Sequence, residues 1–89
     1  MKKEYLNVSL SQLNCLADKI EDKFSITMEK SYNGKKEFMG AKLVYKYDKN
    51  QKTFYVDLSI GFPANMSYSE DDVLSQFEEE LVKCGWNKN

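Results

Sequence analysis

The sequence contains no histidine and no arginine, so all thirteen cationic side chains are lysines. Without histidine, the chain lacks the side chain most often used for acid–base catalysis near neutral pH. It also lacks the usual zinc ligand sets, which two cysteines alone do not complete. Without arginine, it has no bidentate clamp for phosphate or guanine. These absences favour a protein that is not an enzyme and that has no metal site and no cofactor.

Proline and glycine are also scarce, with one and four residues, and no apolar run approaches the length of a membrane span. Eighty-nine residues with 42% hydrophobic side chains predict a single globular domain over residues 1–89, with no membrane contact. The first residues lack the apolar stretch of a signal peptide, which favours a cytoplasmic location. In a reducing cytoplasm Cys15 and Cys84 are expected to be reduced, with Cys84 in the core and Cys15 on the surface.

Two helices are predicted from caps and apolar stripes. Ser9 and Gln12 fit a capping box, and apolar residues then recur at helical spacing, which predicts a helix over residues 9–23. Ser69 is an N-cap candidate followed by three acids, which predicts a helix over residues 69–84. Gly85 suits the position just beyond the end of that helix.

Three strands are predicted between the helices, over residues 24–32, 36–48 and 52–62. Asn33-Gly34 is typical of a type I′ turn, and a two-residue loop there joins the first two strands. The resulting register places apolar residues opposite one another: Met28 and Met39, Ile26 and Ala41, Phe24 and Leu43. A second turn, centred between Lys49 and Asn50, gives a second apolar set: Tyr45 and Phe54, Leu43 and Val56, Ala41 and Leu58.

Because both turns place the same side of the middle strand in the core, the two predicted hairpins support each other. The fold class is therefore predicted as α+β, in the order α-β-β-β-α. A three-stranded antiparallel meander would carry both helices on its apolar face and leave its other face in solvent. Each exposed edge strand, over residues 24–32 or 53–62, is able to pair with the same strand of a second copy. The sequence is therefore compatible with a homodimer as well as with a monomer.

Charge is unevenly distributed along the chain. Residues 30–52 contain seven lysines and two acids, whereas residues 53–82 contain seven acids and no lysine. On the second helix the acids that point outward are predicted to be Asp71, Asp72, Glu78 and Glu79. Their simplest interpretation is a solvated, capped helix face, and the functional alternative is a docking surface for a protein partner with a basic surface.

The lysine-rich hairpins give a second candidate surface. Its predicted members are Lys35, Lys36, Phe38, Lys42, Lys46 and Tyr55, with Phe38 as an aromatic on an otherwise polar face. Lysines around hairpins commonly protect strand edges from aggregation. The alternative is a nucleic-acid-binding surface in which the lysines contact phosphates and the two aromatics stack on bases. Nucleic acid is the less favoured partner.

The order α-β-β-β-α resembles that of the double-stranded RNA-binding domain. In that family the second helix opens with lysines that hold phosphates, whereas here it opens Ser69-Glu70-Asp71-Asp72. The small size and the lysine-, asparagine- and tyrosine-rich composition also resemble phage-encoded anti-CRISPR inhibitors. That resemblance implies a small inhibitor or regulator that sets acidic residues against a nucleic-acid-binding enzyme, with Asp71, Asp72, Glu78 and Glu79 as phosphate mimics.

Overall fold

The computed structural model describes residues 1–29, 31–38 and 40–88. Within them the chain forms a four-stranded antiparallel sheet with two helices on one face, which confirms the α+β class. The elements in chain order are β1 (Lys2–Tyr5), α1 (Leu10–Phe24), β2 (Asn33–Phe38), β3 (Ala41–Asp48), β4 (Thr53–Ile60), a short 3-10 helix (Ala64–Met66) and α2 (Glu70–Lys83).

Both helices lie within one residue of their predicted bounds, because their N-terminal caps are formed by residues close together in the sequence. The Ser9 hydroxyl accepts from the Gln12 N–H at 3.2 Å, and the Gln12 side chain accepts from the Ser9 N–H at 3.0 Å. The Ser69 hydroxyl accepts from the Asp72 N–H at 3.2 Å and starts α2. Gly85, at a φ of 98°, ends α2 as expected of a glycine beyond a helix C-terminus.

The predicted first hairpin is wrong. Residues 24–29 and 31–32 lie outside the strands, and Asn33 and Gly34 begin β2 instead of forming a turn. The chain turns between Phe38 and Ala41, where Gly40 has a φ of 88°, so the predicted strand 36–48 is divided. The expected pairing of Met28 with Met39 lies outside the described residues. A Cβ on Gly34 would lie 3.0 Å from the Tyr45 hydroxyl. The absence of a side chain at Gly34 therefore lets the Tyr45 side chain pack against the backbone of β2.

The predicted second hairpin is present with a shifted register. The Asp48 carboxylate accepts from the backbone N–H groups of Asn50 and Gln51, at 3.0 and 3.2 Å, and stabilises a longer turn. Tyr45 therefore pairs with Val56, two residues from the predicted partner. Since side chains alternate with a period of two, this shift leaves the same residues facing the core.

Strand β1 was not predicted, and it changes which strands are edges. It pairs with β4, so the strand order is β1-β4-β3-β2. The predicted edge strand over residues 53–62 is consequently central, because β4 lies between β1 and β3. The edges of the sheet are β1 and β2.

The core lies between the sheet and the two helices. Trp86 is buried, donates from Nε1 to the Leu6 carbonyl at 2.7 Å and packs edge-on against Tyr5. Burial raises the pKa of Tyr5 to about 12, with the Glu78 carboxylate as a second cause. Phe62, in contrast, lies outside the core and is 75% exposed.

A disulfide joins Cys15 to Cys84, which corrects the expectation of two reduced cysteines. Cys15 lies on α1 and Cys84 is the first residue beyond α2, so the bond ties the two helices together. Cys15 projects beside the apolar stripe of α1, and that is where the end of α2 passes. Among the described residues, no helix is long and apolar enough to cross a membrane.

Candidate functional site

Helix α2 presents six acids in fixed positions. Its inner side buries Val73, Leu74, Phe77 and Leu81 against the sheet and α1, which fixes the rotation of the helix. The acids are Glu70, Asp71, Asp72, Glu78, Glu79 and Glu80. Their contacts divide them into two groups.

The first group consists of acids that already have partners within the fold. Glu80 is 9% exposed and lies 3.4 Å from Lys83, 3.7 Å from Lys23 and 3.9 Å from Lys19. Glu70 accepts from the Ile60 N–H at 3.1 Å and lies 3.2 Å from the amino group of Met1. These two carboxylates connect α2 to α1 and to the sheet.

Glu78 was predicted to belong to the outward acidic face, but the structure gives it partners within the fold. Its carboxylate lies 3.5 Å from the Lys88 ammonium, and its side chain is 31% exposed. Its charge also acts on the buried Tyr5 hydroxyl. Glu78 therefore lies at the border of the outward surface.

The second group is exposed and unpaired. Asp71, Asp72 and Glu79 are exposed, and none of them forms an ion pair within the part of the chain that the structure describes. We call these three residues the acidic stripe. Val82, on the same outward side, is 47% exposed, so the stripe has an apolar neighbour.

Helix stability explains only part of this stripe. Asp71 and Asp72 lie in the first turn of α2, where negative charge interacts favourably with the helix dipole. Glu79 lies well beyond the first turn, where the favourable interaction with the dipole no longer acts. Its neighbours in sequence, Glu78 and Glu80, are compensated by lysines. Glu79 is therefore an exposed charge that forms no ion pair among the described residues.

The Glu70 contacts predict a pH dependence of stability. The Ile60 N–H and the nearby Met1 amino group favour the ionised carboxylate and lower the pKa of Glu70. A lowered pKa stabilises the fold fully above the pKa of an unfolded glutamate, and the stabilisation is lost as the pH falls through the folded pKa. The melting temperature of wild type should exceed that of Glu70→Gln at pH 7, and the difference should shrink from about pH 5 to pH 3.

The matched control for this prediction is Glu79→Gln on the same helix. Its melting temperature should follow that of the wild type across the pH range, since Glu79 has no ion pair among the described residues. A difference between wild type and Glu70→Gln that stayed constant down to pH 3 would contradict the assignment.

The alternative surface, predicted on the solvent side of the sheet, is divided by the fold. Lys35, Lys42, Lys46 and Tyr55 share that side, and Lys46 is paired with Tyr55 in the register. Phe38, in contrast, pairs with Ala41 on the side that carries the helices.

Lys36 pairs with Leu43 on the helix side and lies 3.3 Å from Glu29. On the solvent side, Lys35 lies 3.5 Å from Glu37, and Lys2 pairs with Asp57 in the register. The lysines on that side are thus interspersed with acids, and the predicted pair of stacking aromatics is separated.

Sequence reasoning missed an apolar cavity of about 290 Å³ between the sheet and the ends of both helices. Its walls include Leu43, Leu58 and Phe77, and Phe38 stands at its mouth. The exposed apolar residues around this end of the fold are Phe38, Phe62, Met66 and Tyr68. The available signal was three large apolar or aromatic residues, Phe62, Met66 and Tyr68, in the short segment between the last predicted strand and the second helix.

Comparison with protein families, with curated proteins and with solved structures finds no match. Within residues 1–29, 31–38 and 40–88, no group of three or more acidic, cysteine or histidine side chains is placed to hold a metal ion. The surfaces of the chain itself therefore indicate what it can bind.

Proposed function

We propose that this protein is a non-enzymatic binding module that inhibits or regulates a partner protein by occupying its basic surface. The acidic stripe of Asp71, Asp72 and Glu79 is the docking surface, and the partner's basic surface is of the kind that nucleic-acid-binding enzymes present. The observation that carries the proposal is the division of the α2 acids into compensated and uncompensated ones. Uncompensated charges fixed on one helix face are suited to meet complementary charges on a partner.

The stripe is also held rigidly. The disulfide from Cys15 to Cys84 and the lysines around Glu80 tie α2 to α1. A preorganised surface loses less conformational freedom on binding than a flexible one. Val82 supplies an apolar contact beside the carboxylates, as interfaces commonly combine apolar contact with a charged rim.

A nucleic acid is the less favoured partner. The lysines on the solvent side of the sheet are accompanied by acids, and phosphate binding depends on a surface dominated by positive charge. The opposite charge on α2 would repel a nucleic acid but attract a protein that binds one.

Neutralising the stripe should weaken binding to the partner. We expect the variant Asp71→Asn, Asp72→Asn, Glu79→Gln to lose the partner in affinity capture from the native cells. Three exposed charge contacts contribute about 0.5 kcal/mol each, so the affinity should fall about tenfold. The measurement is quantitative mass spectrometry of proteins captured by wild type and by the variant.

Helix α1 supplies a control with the same change in formal charge. The variant Asp18→Asn, Glu21→Gln, Asp22→Asn neutralises three exposed acids of α1 and should capture the same proteins as wild type. Both variants should unfold cooperatively, with a small loss of stability for the stripe variant because Asp71 and Asp72 favour the helix dipole. Equal capture by wild type and by the stripe variant would contradict the proposal.

A further inference from the structure

The cavity beside Leu43, Leu58 and Phe77 has the size and lining of a small-ligand site. Its volume of about 290 Å³ lies near the lower end of the range for ligand pockets, which suits a small ligand. Phe24, Ile60 and Val73 extend the same apolar wall. An open apolar cavity lacks contacts on one side, so an apolar ligand that fills it gains them.

Two lysines give the cavity a polar rim of one sign. Lys23, from the last turn of α1, and Lys36, from β2, both line it. Each has a carboxylate neighbour, since Lys23 lies 3.7 Å from Glu80 and Lys36 lies 3.3 Å from Glu29.

The lysines outnumber these carboxylates. Glu80 is shared by Lys23, Lys19 and Lys83, so that cluster carries a net charge of about +2. Lys36 and Glu29 compensate each other. Beside Lys23 the cavity therefore borders a lysine cluster with excess positive charge, next to an apolar interior.

We infer that this cavity binds a small amphipathic carboxylate, with the apolar chain inside and the carboxylate beside Lys23 and Lys36. Charge complementarity with the lysines selects a negatively charged head group. The apolar walls select a hydrocarbon chain. The site is separate from the acidic stripe, because the cavity lies on the inner side of α2 and the stripe on its outward side. Binding of the carboxylate and docking of a protein partner thus succeed or fail independently.

The test titrates decanoate, and separately decyltrimethylammonium, into the full-length protein and follows backbone amide shifts by NMR. Decanoate should saturate one site and move the amides of Leu58, Ile60 and Phe77. The cationic probe has the same chain but the wrong charge, so it should bind at least about tenfold more weakly. Added salt should weaken decanoate binding, because it screens the attraction between the carboxylate and the lysines.

Two variants separate the contributions. Lys23→Gln with Lys36→Gln should weaken decanoate about fivefold, since two partly exposed charge contacts are lost. The fold should survive, because Lys19 and Lys83 still compensate Glu80. Ala41→Leu, which adds bulk at the cavity wall, should abolish binding, with its melting curve as the check on folding.

Several results would overturn the inference. These are no saturable binding of decanoate at millimolar concentration, equal affinity for the two probes, or shifts centred on the solvent side of the sheet near Tyr55. Unchanged affinity in the double lysine variant would also overturn it. Displacement of decanoate by a captured protein partner would assign the cavity to a protein segment instead.

Discussion

Replacing Cys15 and Cys84 with serine is expected to lower the free energy of unfolding by about 4 kcal/mol. The disulfide joins residues 69 positions apart, so it restricts most of the unfolded chain. In the chain-entropy model, closing a loop of about 70 residues stabilises the fold by about 4 kcal/mol. Domains of this size commonly have a total stability of about 5–15 kcal/mol, so this bond is a large part of it.

Urea unfolding of three samples measures this effect: oxidised wild type, wild type reduced with dithiothreitol, and the double serine variant. The reduced protein and the variant should unfold at similar, lower urea concentrations. Their denaturant slopes should exceed that of the oxidised protein, because an uncrosslinked unfolded chain exposes more surface. A loss below about 1 kcal/mol in both samples would contradict the expected contribution.

Replacing Gly40 with alanine is expected to lower the free energy of unfolding by about 3 kcal/mol. The φ of 88° is unfavourable for any residue with a Cβ, and an added Cβ would lie 2.2 Å from the Phe62 carbonyl oxygen. Relieving that overlap moves the turn and breaks the hydrogen bond from the Gly61 N–H to the Gly40 carbonyl. Left-handed strain costs about 1–2 kcal/mol, and a lost hydrogen bond about 1 kcal/mol.

Gly61→Ala is the matched control for this prediction. Its added Cβ would lie 3.4 Å from the Gly40 carbonyl oxygen, which is an ordinary contact, and its φ is not in the left-handed region. Its stability should stay within about 1 kcal/mol of wild type. A Gly61→Ala variant less stable than Gly40→Ala in urea unfolding would contradict the observed turn.

The position of this turn marks where sequence reasoning failed. Asn33-Gly34 is the strongest short-range hairpin signal in the chain, and Gly40 carries no comparable signal. What decides between them is tertiary: Gly34 allows the Tyr45 hydroxyl to approach, and that hydroxyl accepts from the Glu29 N–H at 2.8 Å. Met28 is buried although it lies in a loop. An apolar residue in this segment therefore does not by itself indicate a strand.

Elements set by local interactions were predictable. The caps at Ser9 and Ser69 fix the helix starts. The position of the second turn was also predictable, although the bonds of Asp48 make that turn longer than expected. Strand β1 gave no such signal, because four residues with two lysines and one acid show no clear alternation. Its position depends on pairing with β4, which is distant in the chain, as the pair of Lys2 with Asp57 shows.

The disulfide was missed for a related reason. The sequence favoured a surface position for Cys15, but the pattern of a single helix does not show which element passes beside it. That the end of α2 does so follows from the packing of the two helices.

The acidic surface was predictable in outline but not in detail. Charge segregation along the chain placed Asp71, Asp72 and Glu79 on an exposed helix face, and the structure places them there. The burial of Glu80 among three lysines was not predictable, because it depends on how α1 packs against α2. The ion pair of Glu78 with Lys88 was not predictable without knowing the path of the chain after Trp86.

The most direct test of the account is isothermal titration of a captured partner with wild type, the stripe variant and the α1 control variant. The proposed docking surface predicts an affinity about tenfold lower for the stripe variant and within about twofold of wild type for the α1 variant. Equal affinities for all three proteins, or equal losses in both variants, would contradict docking through Asp71, Asp72 and Glu79.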